Sequence, residues 1–224
     1  VVNLAAQAGV RYSLINPHAY MSSNLVGFLN IIESCKNNKV EGLIYASSSS
    51  IYGGNSSKPF KITDRANQPL SLYGATKRAN ELIASSYSYL YNLNCTGLRF
   101  FTVYGSWYRP DMAIYIFTRK ILNREPINVF NNGKIKRDFT YIDDIVDGTI
   151  SAINKNYSCE VFNLGNEKSE KLMDIIKLIE DEVNVKAQIE FKPSEPGDMP
   201  ETFADIDLSK EKLNFFPKTD IKIG

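Results

Sequence analysis

Strand-length apolar runs alternate with helix-patterned stretches along the first hundred residues, and this alternation limits the fold more than any other feature of the chain. Residues 1–4 (VVNL) and 42–46 (GLIYA) read as strands. The second has few polar positions, as expected for a strand covered on both faces. Residues 20–35 place Leu25, Phe28, Leu29 and Ile32 at helical spacing. Residues 50–70, rich in Gly, Pro, Ser and Asn, read as a loop. Residues 73–91 read as a long helix with Ala75, Ala79, Leu82, Ile83 and Tyr87 as candidate buried positions, and residues 95–101 (CTGLRFF) as another strand. Such alternation predicts an α/β fold, a doubly wound parallel sheet with helices on both faces.

After residue 102 the rhythm changes. A loop is expected at 103–110, a helix at 112–124 and a short strand at 127–130. The run RDFTYIDDIVDGTISAI reads as a strand and then an Asp-capped helix, followed by a strand at 160–164 and a helix at 172–183. Three prolines and a glycine make 192–201 a loop. Residues 1–102 are expected to form the body of the sheet. Residues 103–224 are expected to build mainly a smaller lobe, with a return to the sheet at about 139–165.

Composition excludes several classes. With 26 basic and 25 acidic residues the formal net charge is +1, so there is no electrostatic footprint for nucleic acid or an anionic membrane. No segment is long and apolar enough to span a membrane. Cys35, Cys95 and Cys159 are far apart and form no C-x-x-C, which predicts buried thiols in a reducing, cytoplasmic setting and no metal site. The chain opens on an apolar run without methionine or a charged leader, and it stops at TDIKIG. Both ends read as cuts in a longer protein.

The chemistry concentrates in LIYASSSSIYG and SLYGATKRANELI. Tyr73 and Lys77 are spaced i, i+4 and share a helical face. With 13 tyrosines in the chain, such a pair arises about once by chance, so the spacing alone carries nothing. Its context carries more. Ligands of open α/β sheets bind beyond the carboxyl ends of strands, and Ser48–Ser50 lie beyond the end of the 42–46 strand. A tyrosine in the first turn of the next helix can face the same crevice. A lysine ammonium lowers a phenol's pKa, and a serine hydroxyl can hold a substrate hydroxyl while the phenolate takes its proton. That set suits oxidation of an alcohol by hydride transfer, with a cofactor carrying the redox chemistry.

At these residues the sequence resembles the extended short-chain dehydrogenase/reductase family, over essentially the whole chain. NLAAQAG, YASSSSIYG, YGATK, LRFFTVYGSWYRPDMA and KRDFTYIDDIVDG are similar to its segments around NAD and the nucleotide-sugar. The resemblance implies a Rossmann-like sheet lacking its first βαβ units, with a smaller C-terminal substrate lobe, and NAD as cofactor. It implies Ser48, Tyr73 and Lys77 as the catalytic set. It implies cofactor contacts from Leu4, Ala5, Ala6, Asn24, Ala46, Ser47, Phe101 and Val103 besides Tyr73 and Lys77. It also implies a homodimer through the helices at 20–36 and 73–91.

Within that family, a related dehydratase carries an Asp-Glu pair where Ser49 and Ser50 stand here. Neither serine can serve as a carboxylic acid, which argues against elimination and, at Ser50, more weakly against decarboxylation. Epimerisation through a 4-keto sugar remains, and NLAAQAGVRYS, NPHAY, RPDMA and KRDFTYIDDIV most resemble UDP-glucuronate 4-epimerases. That implies a UDP-sugar with its carboxylate on Arg109, helped by Ser49, Ser50 and Thr102. It implies Phe130 on uracil, Arg137 on the diphosphate and Asp198 at the ribose. Glu195 stands where many relatives carry an arginine. Arg11 is either a second cation near the site or a solvated loop residue. UDP-hexose and UDP-N-acetylhexosamine are the alternative substrates, and a scaffold without catalysis is the alternative class. His18 reads as a cap or packing residue, and Trp107 with the aromatics at 100–108 as core.

No G-x-x-G-x-x-G occurs in these 224 residues. By themselves they are therefore expected to bind NAD weakly and not to turn over, because the pyrophosphate site at a helix N-terminus is not among them. A calorimetric titration checks this, and micromolar affinity overturns it.

Overall fold

The computed structural model describes every residue except Ser56, Pro196 and Asp198. The main elements in the order of the chain begin with β1 (Val2–Asn3), α1 (Gly27–Asn37), β2 (Gly42–Ser48), α2 (Leu72–Tyr91) and β3 (Asn94–Phe100). They continue with β4 (Thr102–Tyr104), α3 (Ala113–Leu122), β5 (Ile127–Val129), β6 (Phe139–Tyr141) and α4 (Ile142–Lys155). Last come β7 (Cys159–Leu164), α5 (Leu172–Val183), β8 (Ile189–Phe191) and α6 (Asp207–Leu213).

Strands β1, β2, β3 and β7 form one parallel sheet in that order. Side chains alternate across it. Leu43, Tyr45 and Cys95 pack with Phe28, Ile32 and Ala84 against α1 and α2. Ile44, Leu98, Phe162 and Leu164 pack with Ile145, Ala152 and Leu213 against α4 and α6. The strands are apolar on both faces because helices cover both. A second core, built from Phe117, Ile121, Ile127, Val129, Ile175 and Ile176, joins α3, β5 and α5. β4 pairs in parallel with β6, linking the end of β3 to this second core.

Several sequence expectations need correction. Residues 102–104, in part assigned to a loop, are the strand β4, because Phe139–Tyr141 offers it a pairing edge that the local sequence does not reveal. The helix at 20–35 contains a π-type segment, Met21–Val26, ahead of α1. That extra residue per turn rotates the face, so Asn24, Phe28, Ile32 and Cys35 turn inward while Leu29 stays 42% exposed. No side chain caps α4; Asp143 and Asp144 lie in its first turn, where they meet the positive end of the helix dipole. His18 is exposed, and the cap of its short helix is Asn16, whose Oδ1 accepts from the Ala19 N–H at 3.2 Å. Trp107 is not core: it is fully exposed, on a backbone with φ +61°, whereas Phe101 and Tyr104 are buried.

The largest correction concerns α2. Leu82 is exposed and Ala75, Ala79, Ile83 and Tyr87 only half-buried, while Gly74, Thr76, Lys77, Asn80, Glu81 and Ala84 face inward. Thr76, Lys77 and Glu81 occupy the buried face because they are paired, whereas Asn80 Oδ1 has no partner among the described residues. Arg99 Nε donates to Glu81 Oε1 at 2.9 Å and Nη2 to Oε2 at 3.0 Å. Ser47 Oγ donates to the same carboxylate at 2.6 Å. Arg99 Nη1 donates to the Tyr52 hydroxyl at 2.8 Å, which donates on to Asn163 Oδ1 at 2.7 Å. Burial pushes the Glu81 pKa up, but these hydrogen bonds and the Arg99 charge outweigh it and hold the carboxyl below its ordinary value. A hydrophobicity pattern scores residues one at a time and cannot register a pair.

Removing one partner strands the other charge. Glu81→Ala is expected to lower unfolding free energy by about 3–5 kcal/mol in urea, with Glu81→Leu/Arg99→Met recovering most of it. A single-mutant loss below about 1 kcal/mol sinks this account, since that is the range of an exposed pair.

Candidate active site

The carboxyl ends of β2 and β3 open into a cavity of about 580 Å³. Its lining includes Ser48, Tyr73 and Lys77, with Ala46, Ser49, Ser50, Thr102 and Arg109. β2 ends at Ser48, whose Oγ accepts from the Ser50 N–H at 3.2 Å and so caps the short turn Ser49–Tyr52. Ser71 caps α2 in the same way, accepting from the Gly74 N–H at 3.1 Å. Gly74 lets the helix come close. A Cβ there would stand 2.5 Å from the Ser50 carbonyl oxygen, so any larger residue would push α2 off the serine turn. This approach brings the Tyr73 phenol close enough to the Ser48 hydroxyl for Ser48 to lower its pKa, and both line the cavity.

The electrostatics differ from the sequence expectation. Burial raises the Tyr73 pKa above 10.0, and the Ser48 hydrogen bond and the Arg109 charge pull it only part of the way back. The nearby cation acting on Tyr73 is thus Arg109, not Lys77. Lys77 is 3% exposed and reaches past the tyrosine to the sheet, where Nζ donates to the Ala46 carbonyl at 2.8 Å. Burial lowers its pKa from 10.5 to about 8. An ammonium has three N–H donors, and Ala46 takes one, which leaves two for hydroxyls of a ligand.

Among the predicted cofactor contacts, Leu4, Ala6, Ala46, Ser47, Phe101 and Val103 all line the cavity, although the Ser47 hydroxyl is committed to Glu81. Ala5 does not line it. Asn24 lies one layer behind the wall and is 1% exposed. Its Oδ1 accepts from the Gln7 N–H at 2.8 Å, and its Nδ2 donates to the Gln7 carbonyl and to Thr76 Oγ1, both at 3.0 Å. Both amide donors are spent on protein, so Asn24 fixes the wall rather than touching a ligand. Ser49, Ser50, Thr102 and Arg109 line the same cavity.

A second cavity of about 410 Å³ lies alongside, sharing Thr102, Tyr108 and Met112 with the first, and is lined by Arg11, Phe130 and Arg137. Arg11 is not merely solvated: its guanidinium sits 4.0 Å over the Phe130 ring and pairs with Glu195 at 2.8 Å. Asp198 falls outside the described residues. Arg109 has a carboxylate already: Nε donates to Asp111 Oδ1 at 3.0 Å and Nη2 to Oδ2 at 2.6 Å.

Three positioning residues escaped the sequence reading. The buried Tyr20 hydroxyl lies 2.9 Å and 2.5 Å from the carbonyl oxygens of Ala8 and Gly9, holding the cavity wall edge-on to Tyr73. The Asp138 carbonyl accepts from the Thr102 N–H at 3.0 Å, while its carboxylate accepts from the N–H groups of Asn166 at 2.7 Å and Ala204 at 3.0 Å. Asp111 is the third. Each sat inside a quoted motif, NPHAY, KRDF and RPDMA, in which other residues drew the reading.

The donor set fits a dinucleotide's nicotinamide end: small apolar walls at Ala6, Ala46 and Val103, two hydroxyls, and a buried ammonium with spare donors. Among the described residues no Asp or Glu lines the 580 Å³ cavity. Among the described residues no His, Cys, Asp or Glu cluster could hold a metal, and no helix is long and apolar enough to cross a membrane.

A family model described as the NAD dependent epimerase/dehydratase family matches residues 1–165. Protein CapI of Staphylococcus aureus is 48% identical over 242 aligned residues, which cover 100% of this chain and 72% of that protein. UDP-glucuronate 4-epimerase 4 of Arabidopsis thaliana is 45% identical, over 100% of this chain and 55% of that protein. The solved structure of UDP-glucuronic acid 4-epimerase from Bacillus cereus with UDP-glucuronic acid and NAD matches with a TM-score of 0.91 at 34% identity, over 98% of this chain and 70% of that one.

Lys77 makes the site's pH behaviour testable. Between about pH 8 and pH 10.5 the unfolded chain holds the Lys77 proton and the folded chain does not, so stability rises with pH across that window. Below about pH 8 the folded state carries the full penalty, at most about 3 kcal/mol. Lys77→Met is expected to be more stable than the parent at pH 7 and to lack the alkaline rise in urea midpoint. A variant that keeps the rise overturns the assignment.

Proposed function

The chain belongs to the NAD-dependent epimerase/dehydratase family, and on that premise we propose that it carries the site at which C4 of a UDP-sugar is inverted, with UDP-glucuronate as substrate and UDP-galacturonate as product. The observation that carries the reaction type is the cavity itself: a serine–tyrosine pair on its lining and, among the described residues, no carboxylate. Elimination of water needs a carboxyl acid and base beside the sugar, and inversion through a ketone does not.

A bound NAD would supply the hydride acceptor and donor for C4 and, in its oxidised form, positive charge. Tyr73 takes the proton of the 4-hydroxyl and later gives it back. Ser48, its oxygen oriented by the Ser50 N–H, holds the substrate oxygen in line. With burial holding the free phenol above its ordinary pKa, the base needs added positive charge before it can ionise at neutral pH. Lys77 has two donors left for ribose hydroxyls. In the adjoining cavity Phe130 would pack on the uracil, with Arg137 and Arg11 toward the diphosphate.

The uronate is supported by Arg109, a guanidinium on the cavity wall close enough to act on Tyr73, with Ser49, Ser50 and Thr102 around it. It is supported too by the substrate named in the Arabidopsis and Bacillus relatives. One observation favours a neutral UDP-hexose instead: the Arg109 fork is already held by Asp111. Product analysis with NAD and UDP-glucuronate, UDP-glucose or UDP-N-acetylglucosamine separates the two. Arg109→Ala is expected to raise KM for UDP-glucuronate about 10- to 100-fold, the size of a lost charged hydrogen bond, and to affect the neutral sugars far less. Equal losses remove the carboxylate from Arg109.

A homodimer through α1 and α2 belongs to the same proposal. Met21, Val26, Leu29, Leu82, Leu90 and Tyr91 on and beside these helices are all exposed, an apolar surface that a second copy would cover. Light scattering is expected to give twice the monomer mass, and Leu82→Glu/Leu90→Glu is expected to halve it.

A further inference from the structure

We propose that Asp111 is a built-in counter-ion which a hexuronate carboxylate displaces from Arg109, so that the Arg109–Asp111 pair sets the preference between uronate and neutral sugars. The proposal rests on the UDP-sugar reading above and deepens it.

The pair sits where the two cavities meet. Arg109 lines the one that holds Tyr73, and Asp111 lines the neighbouring one. Gly9 lies beside both side chains: a Cβ there would be 3.8 Å from Asp111 Oδ2 and 3.9 Å from Arg109 Nη2. The contact is a two-point fork, Nε to Oδ1 and Nη2 to Oδ2. A sugar carboxylate presents the same two oxygens in the same plane. Exchange of one carboxylate for the other therefore conserves charge and hydrogen-bond number at the guanidinium.

Exposure decides whether the exchange is feasible. The side chains of Arg109 and Asp111 are 46% and 59% exposed. A pair this wet is held weakly, and the released carboxylate can hydrate where it stands. The bidentate pair Arg99–Glu81, by contrast, is 4% and 2% exposed and offers no such route. A neutral sugar brings no group that can replace Asp111, so it binds with the pair closed. The uronate binds by opening the pair, and its apparent affinity falls by whatever the pair is worth. Asp111 thereby narrows the advantage that Arg109 alone would confer on an acidic substrate.

The test uses the NAD-loaded full-length protein and compares Kd for UDP-glucuronate and UDP-glucose by calorimetry. The emission of Trp107, the single tryptophan of these 224 residues and fully exposed on the cavity lining, provides a second readout. In Asp111→Asn the ratio of the uronate Kd to the glucose Kd is expected to fall about two- to fivefold, the worth of an exposed pair. In Asp111→Glu, which keeps a carboxylate within reach, the ratio should stay near the parent's. A ratio that is unchanged or rises in Asp111→Asn overturns the counter-ion role; a rise would mean that Asp111 only orients Arg109. Turnover of the unaltered protein is scored separately. Binding that shifts as expected without 4-epimer product would refute the reaction and leave the counter-ion standing. Failure of the unaltered protein to bind UDP-glucuronate would overturn both.

Discussion

The buried ion pair between Glu81 and Arg99 is the contact on which the rest of the molecule is hung. It joins the middle of α2 to β3, takes the Ser47 hydroxyl of β2 as a third member, and continues through Tyr52 to Asn163 of β7. Asn163 Nδ2 then donates to the carbonyls of Phe60 and Asp205, at 2.8 Å and 2.9 Å, so the loop after β2 and the segment before α6 are tied to the same point. With α2 held against the sheet there, its first turn can reach the serine turn only where Gly74 meets the Ser50 carbonyl. The position of Tyr73 relative to Ser48 follows from that anchoring. Apolar packing alone is non-directional; the fork of Arg99 on Glu81 supplies direction.

Stability and chemistry compete at Lys77. An ammonium 3% exposed with one protein acceptor is an unfavourable thing to fold around, and its depressed pKa measures that cost. The same burial leaves donors unspent beside a phenol that needs them. Arg109 follows the opposite strategy. Its charge is balanced by Asp111 in a wet, exchangeable pair, so the cavity carries a cation that can change partners while the core beneath it cannot. The lysine- and arginine-centred sites on one cavity lining thus differ because one is dry and the other is not.

Much of this was legible from residue order. The parallel sheet followed from the alternation of strand and helix patterns, since an apolar run of strand length between helices has few other ways to bury both faces. Ser48, Tyr73 and Lys77 were legible because each falls at a place defined by local structure: a strand end, a first helical turn, and one turn further on. The inward face of α2 was not legible. Thr76, Asn80 and Glu81 look like solvated residues until Arg99, eighteen positions beyond Glu81, is laid beside them. Trp107 looked like core for the converse reason, because its composition says buried while its backbone turn places it outside.

The sequence by itself therefore determined the α/β layering, the strand end that carries the serines and the helix that carries the tyrosine and lysine. These depend on periodicity and on spacing within a few residues, and both are local properties. Tertiary structure alone decided which cation acts on Tyr73, which residue Arg109 is paired with and where Asn24 points. Each of those outcomes depends on groups that are distant in the chain or held by a turn, and on how much water reaches them. Burial and pairing set the charge of a side chain, and neither is a property of the residue alone.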